Sequence, residues 1–259
     1  MTSGAPSQLT FLGTVNWELA WAPDSKHLVY GDGKALWWIR SDGGGQAQLL
    51  AGNQPNSNSR PTSFSPLVGK DTRLIFMSSK IGVPDLWTLP IDLSDPERPQ
   101  AGKPEPFLAE PQIVEVDGAF SPDGKFIAYS ANEQGSQQVY VRPFPGPGGR
   151  WKVSTAVGAF PAWSPATREL FFLGSDDRIM AVSYAIGGSG GQQDAFSIVG
   201  TPRVWSPQPV RRTSVRQNFD VSRDGKRVVM FPRPAVENAG GNMHATFLVN
   251  FFKSGGAYR

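Results

Sequence analysis

Cysteine is absent from the 259-residue sequence, which excludes disulfides, thiolate chemistry and Cys-ligated zinc together. Histidine is nearly absent: only His27 and His244 occur, so a Ser-His-Asp arrangement or a multi-His metal site has little to draw on. Both are read as structural or surface residues. No apolar run approaches the roughly 20 residues needed for a membrane-spanning helix, and the opening MTSGAPSQLTF lacks the basic and apolar regions of a signal peptide. The chain as written is therefore expected to be soluble, with no membrane insertion. Charged residues are sparse at 18%.

Turn formers, by contrast, are plentiful. Gly 29 and Pro 23, with aromatics at 11%, predict many short strands joined by tight turns rather than helices. A hydrophobic content of 39% over this length is enough for one domain with a real core. The one local charge imbalance lies at 201–233, where eight Lys/Arg face only Asp220 and Asp224. No aromatic interleaving or nucleic-acid motif accompanies it, so it reads as a solvated basic face and no nucleic-acid partner is expected.

The turns recur. FSPDGKFIAYS at 120–130 has counterparts in WAPDSKHLVY at 21–30, FSPLVGKDTRLIF at 64–76, WSPATRELFFL at 163–173 and VSRDGKRVVMF at 221–231. The anchors Pro23, Pro66, Pro122, Pro165 and, substituted, Arg223 are 43, 56, 43 and 58 residues apart, the spacing of four-stranded propeller blades with two insertions. In each copy a strand ends in an aromatic (Trp21, Phe64, Phe120, Trp163) or, in the last, Val221, the turn reverses the chain, and a β-branched or aromatic run follows. Third strands (ALWWIR, DLWTLPI, QVYVRPF, RIMAVSYA, HATFLVNFF) and fourth strands (AQLLAG, EPFLAE, RWKVST, PRVWS) come next. The fifth copy has no fourth strand, and QLTFLG at 8–13 is read as supplying it by pairing with 244–252. The sequence thus predicts an all-β β-propeller: one domain over 1–259, with five blades of four antiparallel strands at about 14–52, 58–110, 113–155, 158–206 and 215–252, in a monomer closed by its N-terminal strand.

These repeats resemble the TolB-like β-propeller family, whose units read Trp/Phe-Ser-Pro-Asp-Gly followed by an apolar strand. The stretches VDGAFSPDGKFIAYS to WKVST, PAWSPATRELFFL and NFDVSRDGKRVVMF are also similar to the C-terminal propeller region of bacterial receptor-type serine/threonine protein kinases. That resemblance implies a kinase-associated sensor module, extracytoplasmic where it belongs to a membrane kinase. The chain itself has no Gly-rich phosphate loop, His-Arg-Asp or Asp-Phe-Gly, so no kinase activity is expected of it. TolB-type propellers commonly have six blades; five copies leave either a five-bladed ring or a fragment completed by another chain.

Five residues before each anchor, where propellers aim side chains at the central channel, stand Glu18, Pro61, Asp117, Phe160 and Asn218, with Arg60 one residue earlier in its repeat. Their variety predicts a non-enzymatic binding or sensor module that recognises a protein, peptide or small ligand at the channel mouth through Glu18, Arg60, Asp117 and Asn218. Arg60 is the anion-contacting group, and substitution of these exposed rim charges is expected to leave stability almost unchanged. The alternative is a channel-centred hydrolase such as a glycosidase, with Glu18, Asp117 and Asp220 as its carboxylates. No cofactor and no metal are expected: the turn residues Asp24, Asp123 and Asp224 are explained by bonds to nearby backbone N–H groups, and GGSGG at 187–191 by a flexible connection.

Overall fold

A computed structural model describes residues 8–10, 17–52, 58–79, 83–133, 135–187, 195–212 and 217–231. Among them there is no helix, hence none long and apolar enough to cross a membrane. The chain forms five antiparallel sheets in sequence order. The first holds β1 (Trp17–Trp21), β2 (His27–Gly31), β3 (Ala35–Arg40) and β4 (Gln48–Gly52). The second holds β5 (Arg60–Phe64), β6 (Asp71–Ser78) and β7 (Asp85–Asp92), with two short outer pieces, β8 (Gln100–Ala101) and β9 (Glu105–Leu108), both paired to β7. The third holds β10 (Val114–Phe120), β11 (Phe126–Asn132), β12 (Gln137–Pro143) and β13 (Trp151–Lys152). The fourth holds β14 (Gly158–Trp163), β15 (Glu169–Gly174), β16 (Arg178–Gly187) and the long β17 (Ala195–Pro209). Of the fifth, β18 (Phe219–Val221) and β19 (Val228–Met230) are described.

The first strands β1, β5, β10, β14 and β18 adjoin one another in chain order, so each meander runs outward from a common centre. This is the β-propeller, and its core explains why the strands read apolar on both faces. Along β6, Leu74 and Phe76 pack toward the first sheet while Ile75 and Met77 pack toward the third. In β11, Ile127 and Tyr129 face the second sheet, and Phe126 and Ala128 the fourth. Alternation with period two thus feeds two inter-sheet layers at once.

The recurrent turns pack against each other around the ring. Ser121 and Ser222 accept hydrogen bonds from the N–H groups of Gly124 and Gly225, each 2.9 Å long. The turn carboxylates of Asp24, Asp123 and Asp224 accept the N–H of Lys26, Lys125 and Lys226 at 2.9, 3.2 and 3.0 Å. Gly124 and Gly225 adopt φ +71° and +69°, and Ser25 takes the same place at +58°. Arg223 of the last turn donates to Ser25 Oγ of the first at 3.1 Å, across 198 residues of chain.

Two expectations change. The outer strand of the second sheet is split into β8 and β9, so that sheet has five strands. Gln8, Leu9 and Thr10 are not in a strand, although Leu9 packs beside the buried Leu28, Tyr30 and Ile39. Residues 11–13 and 244–252, and with them the predicted closing pair and His244, lie outside the described residues.

Candidate functional site

The candidate positions prove to be backbone features first. Glu18, Asp117 and Phe160, one per sheet at the same repeat position, have φ of 47°, 58° and 54°. Such left-handed conformations cost a non-glycine residue roughly 1–3 kcal/mol. Each sits where the pairing of its first strand slips: between Trp17 and Leu19, between Val116 and Ala119, and between Ala159 and Ala162. The second sheet slips likewise between Pro61 and Ser63, where proline cannot take positive φ. These residues therefore lie inside the innermost strands, at β-bulges, and not in the loops before them. A bulge bends its strand and re-aims the side chain.

Neighbouring sheets hold these bulges in place. Thr62 Oγ1 donates to the Gly118 carbonyl at 2.7 Å, Phe120 N–H to Ser63 Oγ at 3.2 Å, and Phe160 N–H to Ser130 Oγ at 3.1 Å. Gly118 has no alternative, since a Cβ there would overlap Ile75.

The side chains fall into two groups. Arg60 Nη1 lies 3.9 Å from Glu18 Oε1, with both side chains mostly buried at 16% and 17% exposure, and Arg60 Nε donates to Asn58 at 3.3 Å. The expectation of exposed rim charges is thereby overturned for this pair: the bulge turns Glu18 inward against the next sheet. Asp117 forms the second group. Burial pushes its carboxyl up to about 6 even though the Ser130 hydroxyl, the Phe160 N–H and the Arg212 charge favour the ionised form. Its Oδ2 is buried without a hydrogen-bond donor. Arg212 pairs with Asp177 at 3.6 Å.

Asn218, just ahead of β18, is drawn into its own loop. Its side-chain amide donates to the Arg211 carbonyl at 2.6 Å, and its carbonyl accepts Phe231 N–H at 3.0 Å. Asp220 is reached by water yet walled by protein, which raises its carboxyl pKa; the Val221 N–H bonds it at 2.8 Å. Of the three carboxylates, Glu18 is ion-paired, while Asp117 and Asp220 hold their protons more tightly than free aspartate. Of these, the Asp117 carboxyl is the one poised to exchange a proton near pH 6.

Sequence reasoning missed two charged groups that the fold pairs or buries. Arg212 was read as part of a solvated basic segment, but it pairs with the Asp177 carboxylate and its charge acts on Asp117. Glu115, 2% exposed, is pushed up to about 7 by burial, with the carboxylates of Glu110 and Asp85 adding to the effect. Its signal was present in VEVDG, where a glutamate alternates with apolar residues in a strand whose two faces are both packed. His27 is buried: its Nδ1 is 2.6 Å from Asp24 Oδ2 and its ring stacks on Trp38 at 4.8 Å. Among the described residues no group of His, Asp and Glu is placed to hold a metal.

No protein-family model and no curated protein matches the chain. Similar solved structures include a putative TolB from Agrobacterium tumefaciens, with 20% identity and a TM-score of 0.50 over 64% of this chain and 60% of that one. TolB from Acinetobacter baumannii is similar at 18% identity and a TM-score of 0.52, over 85% of this chain and 55% of that one. The chain thus covers less than two thirds of either protein. At such identities the likeness is one of fold, the β-propeller.

Proposed function

We propose that this β-propeller is a non-enzymatic recognition module that binds a protein, peptide or small ligand at the channel mouth, acting as a monomer. The observation that carries the reading is the left-handed bulge repeated at Glu18, Asp117 and Phe160. Three strained residues of unlike chemistry at one repeat position are not needed for turn formation, and strain of this kind concentrates at functional sites. Arg60, Glu18, Asp117 and Asn218 give the mouth its polarity, and Arg212 joins them. The similarity of 116–155 to the propellers of receptor-type kinases supports a sensor role in such a protein, and the reading frame upstream of this segment would show whether a kinase and a membrane helix precede it.

The test is a peptide-library screen with the wild-type chain, followed by affinity measurements on Arg60→Gln and Asp117→Asn. Because both residues are largely buried, these near-isosteric changes replace alanine, and unfolding curves accompany them. Binding is expected to weaken at least tenfold for both while each variant stays folded. A bound peptide indifferent to both changes but weakened by Arg211→Ala, an exposed position of the basic segment, would move the interface away from the channel.

A further inference from the structure

The first four sheets keep their outer edges short or covered, with one exception. β8, β9 and β13 have two, four and two residues, and beside β4 the Glu97 carbonyl of the second sheet accepts Gln48 Nε2–H at 2.6 Å. Such edges leave little ladder for another chain to extend. β17 has 15 residues, and among the described residues no strand pairs with its outer side. Its first part also runs past the rest of its sheet. The pairing of β15 with β16 ends at Glu169 and Ser183, whereas β16 and β17 stay in register from Ser183 and Val199 out to Gly187 and Ala195.

One face of this two-stranded ribbon is fixed. Phe196 is buried, stacks on Tyr184 at a ring distance of 5.5 Å and meets Trp151 of the third sheet at 5.3 Å. Ile186 and Ile198 pack on the same layer. The opposite face is bare: Ala195, Ser197 and Val199 are exposed, as are Ala185 and Gly187 across from them, and Val199 is 53% exposed. From Ala195 to Thr201 the strand reads AFSIVGT, without a charge or a proline. The features that blunt an edge begin only near its end, with Gly200 at φ +77° and then Pro202. An edge held rigid from one side and left unprotected on the other is pre-ordered for pairing.

We propose that the outer edge of β17, from Ala195 to Arg203, docks an extended segment of a partner protein, which adds antiparallel to the fourth sheet as a further strand. The body of that segment is uncharged, with β-branched side chains lying beside Val199, and its N-terminal end is acidic. Charge selects that end. Residues 201–212 hold Arg203, Arg211 and Arg212 and no carboxylate, and the Arg203 side chain is 54% exposed although Glu169 pairs with it at 2.6 Å. An antiparallel strand brings its N-terminal end to this place. A second copy of the chain fits less well. Two β17 strands paired over their full length are centred on Pro202, which has no N–H to donate, and the two Arg203 side chains then face each other diagonally, about 7–8 Å apart. The edge is the outermost strand of its sheet, so the docking site is distinct from the channel mouth at the innermost strands.

The test uses the full chain and a fluorescent peptide of two glutamates followed by alternating threonine and valine. Saturable binding is expected, at least tenfold weaker to the double variant Ser197→Lys with Val199→Lys, whose new charges stand on the exposed face and guard the edge. Unfolding curves of the variant check that it stays folded. Replacing the two glutamates by lysines should weaken binding at least fivefold. Methylating the peptide's backbone nitrogens at one set of alternate positions should abolish binding and at the other set leave it, because only every second N–H of an added strand points at its neighbour; this arm needs no variant of the protein. Absence of binding, equal binding to wild type and the double variant, or equal effects of the two methylation sets would each overturn the proposal. Self-association of the wild-type chain that the double variant abolishes would assign the edge to a second copy and overturn it as well.

Discussion

Asp117 and Glu115 occupy one strand and both bind protons more tightly than free carboxyls, with values of about 6 and about 7 set first by burial. A raised folded-state pKa means that the folded protein retains a proton which the unfolded chain releases. The stabilisation from these two groups is complete below the unfolded carboxyl range and is lost as pH rises through 6 and 7. Unfolding by urea is therefore expected to show stability falling between pH 5 and pH 8, and Asp117→Asn with Glu115→Gln should flatten that slope. A slope unchanged by the double substitution would assign the effect to other groups. Turn glycines give a second prediction at this scale. Gly69 and Gly225 share a left-handed backbone, at φ +63° and +69°, but a Cβ on Gly69 meets open space, whereas on Gly225 it would overlap Ser164 and lie 3.2 Å from Thr167 Cγ2. Gly69→Ala should cost about 1–2 kcal/mol for conformation alone, and Gly225→Ala about 1–3 kcal/mol more for crowding between sheets. Equal losses in chemical unfolding would show that the turns do not pack on one another.

Among the elements, those bounded by chemically demanding turns were legible. The recurrent turn anchors located β2, β6, β11, β15 and β19, because proline (Arg223 in the last copy) and a tight turn leave the chain few other ways to reverse, and strands of three to eight residues follow them. Outer strands were less so. β13 has two residues, β17 has 15, and the edge of the second sheet divides in two, since an edge strand's length depends on where its partner offers free N–H and C=O groups and not on its own pattern. The site was half legible. Repeat alignment found Glu18, Asp117 and Phe160, but nothing in a glutamate, an aspartate and a phenylalanine announces a shared left-handed bulge that glycine or asparagine usually marks. The burial of Arg60 against Glu18 follows from that bulge, so it too was hidden. Arg212 escaped because charge counting sees a run of basic residues and not the sheet beside which each one lands.

For the whole molecule, the decisive question is how the first and last sheets meet. Interior sheets gain stability from two packed layers, whereas the first sheet has one layer against the second, built on Val29, Leu36 and Trp38, and another whose described partner is Leu9. An N-terminal segment in that position couples the start of the chain to the ring as a whole. Removing residues 1–13 should therefore expose Leu28, Tyr30 and Ile39, each now under 9% exposed. At roughly 1.5–3 kcal/mol for each large aliphatic or aromatic side chain returned to water, even partial exposure approaches the whole stability of an ordinary domain, about 5–15 kcal/mol. Thermal unfolding of the 14–259 chain is expected at least 10 °C below that of the full chain, with an apolar sheet face newly available for aggregation. Leu9→Ala should give a smaller loss of about 1–2 kcal/mol in the same direction, because it removes one partly buried side chain and leaves the backbone of the segment in place. A truncated chain that unfolds at the same temperature as the full one would show that the N-terminal segment merely lies on the first sheet.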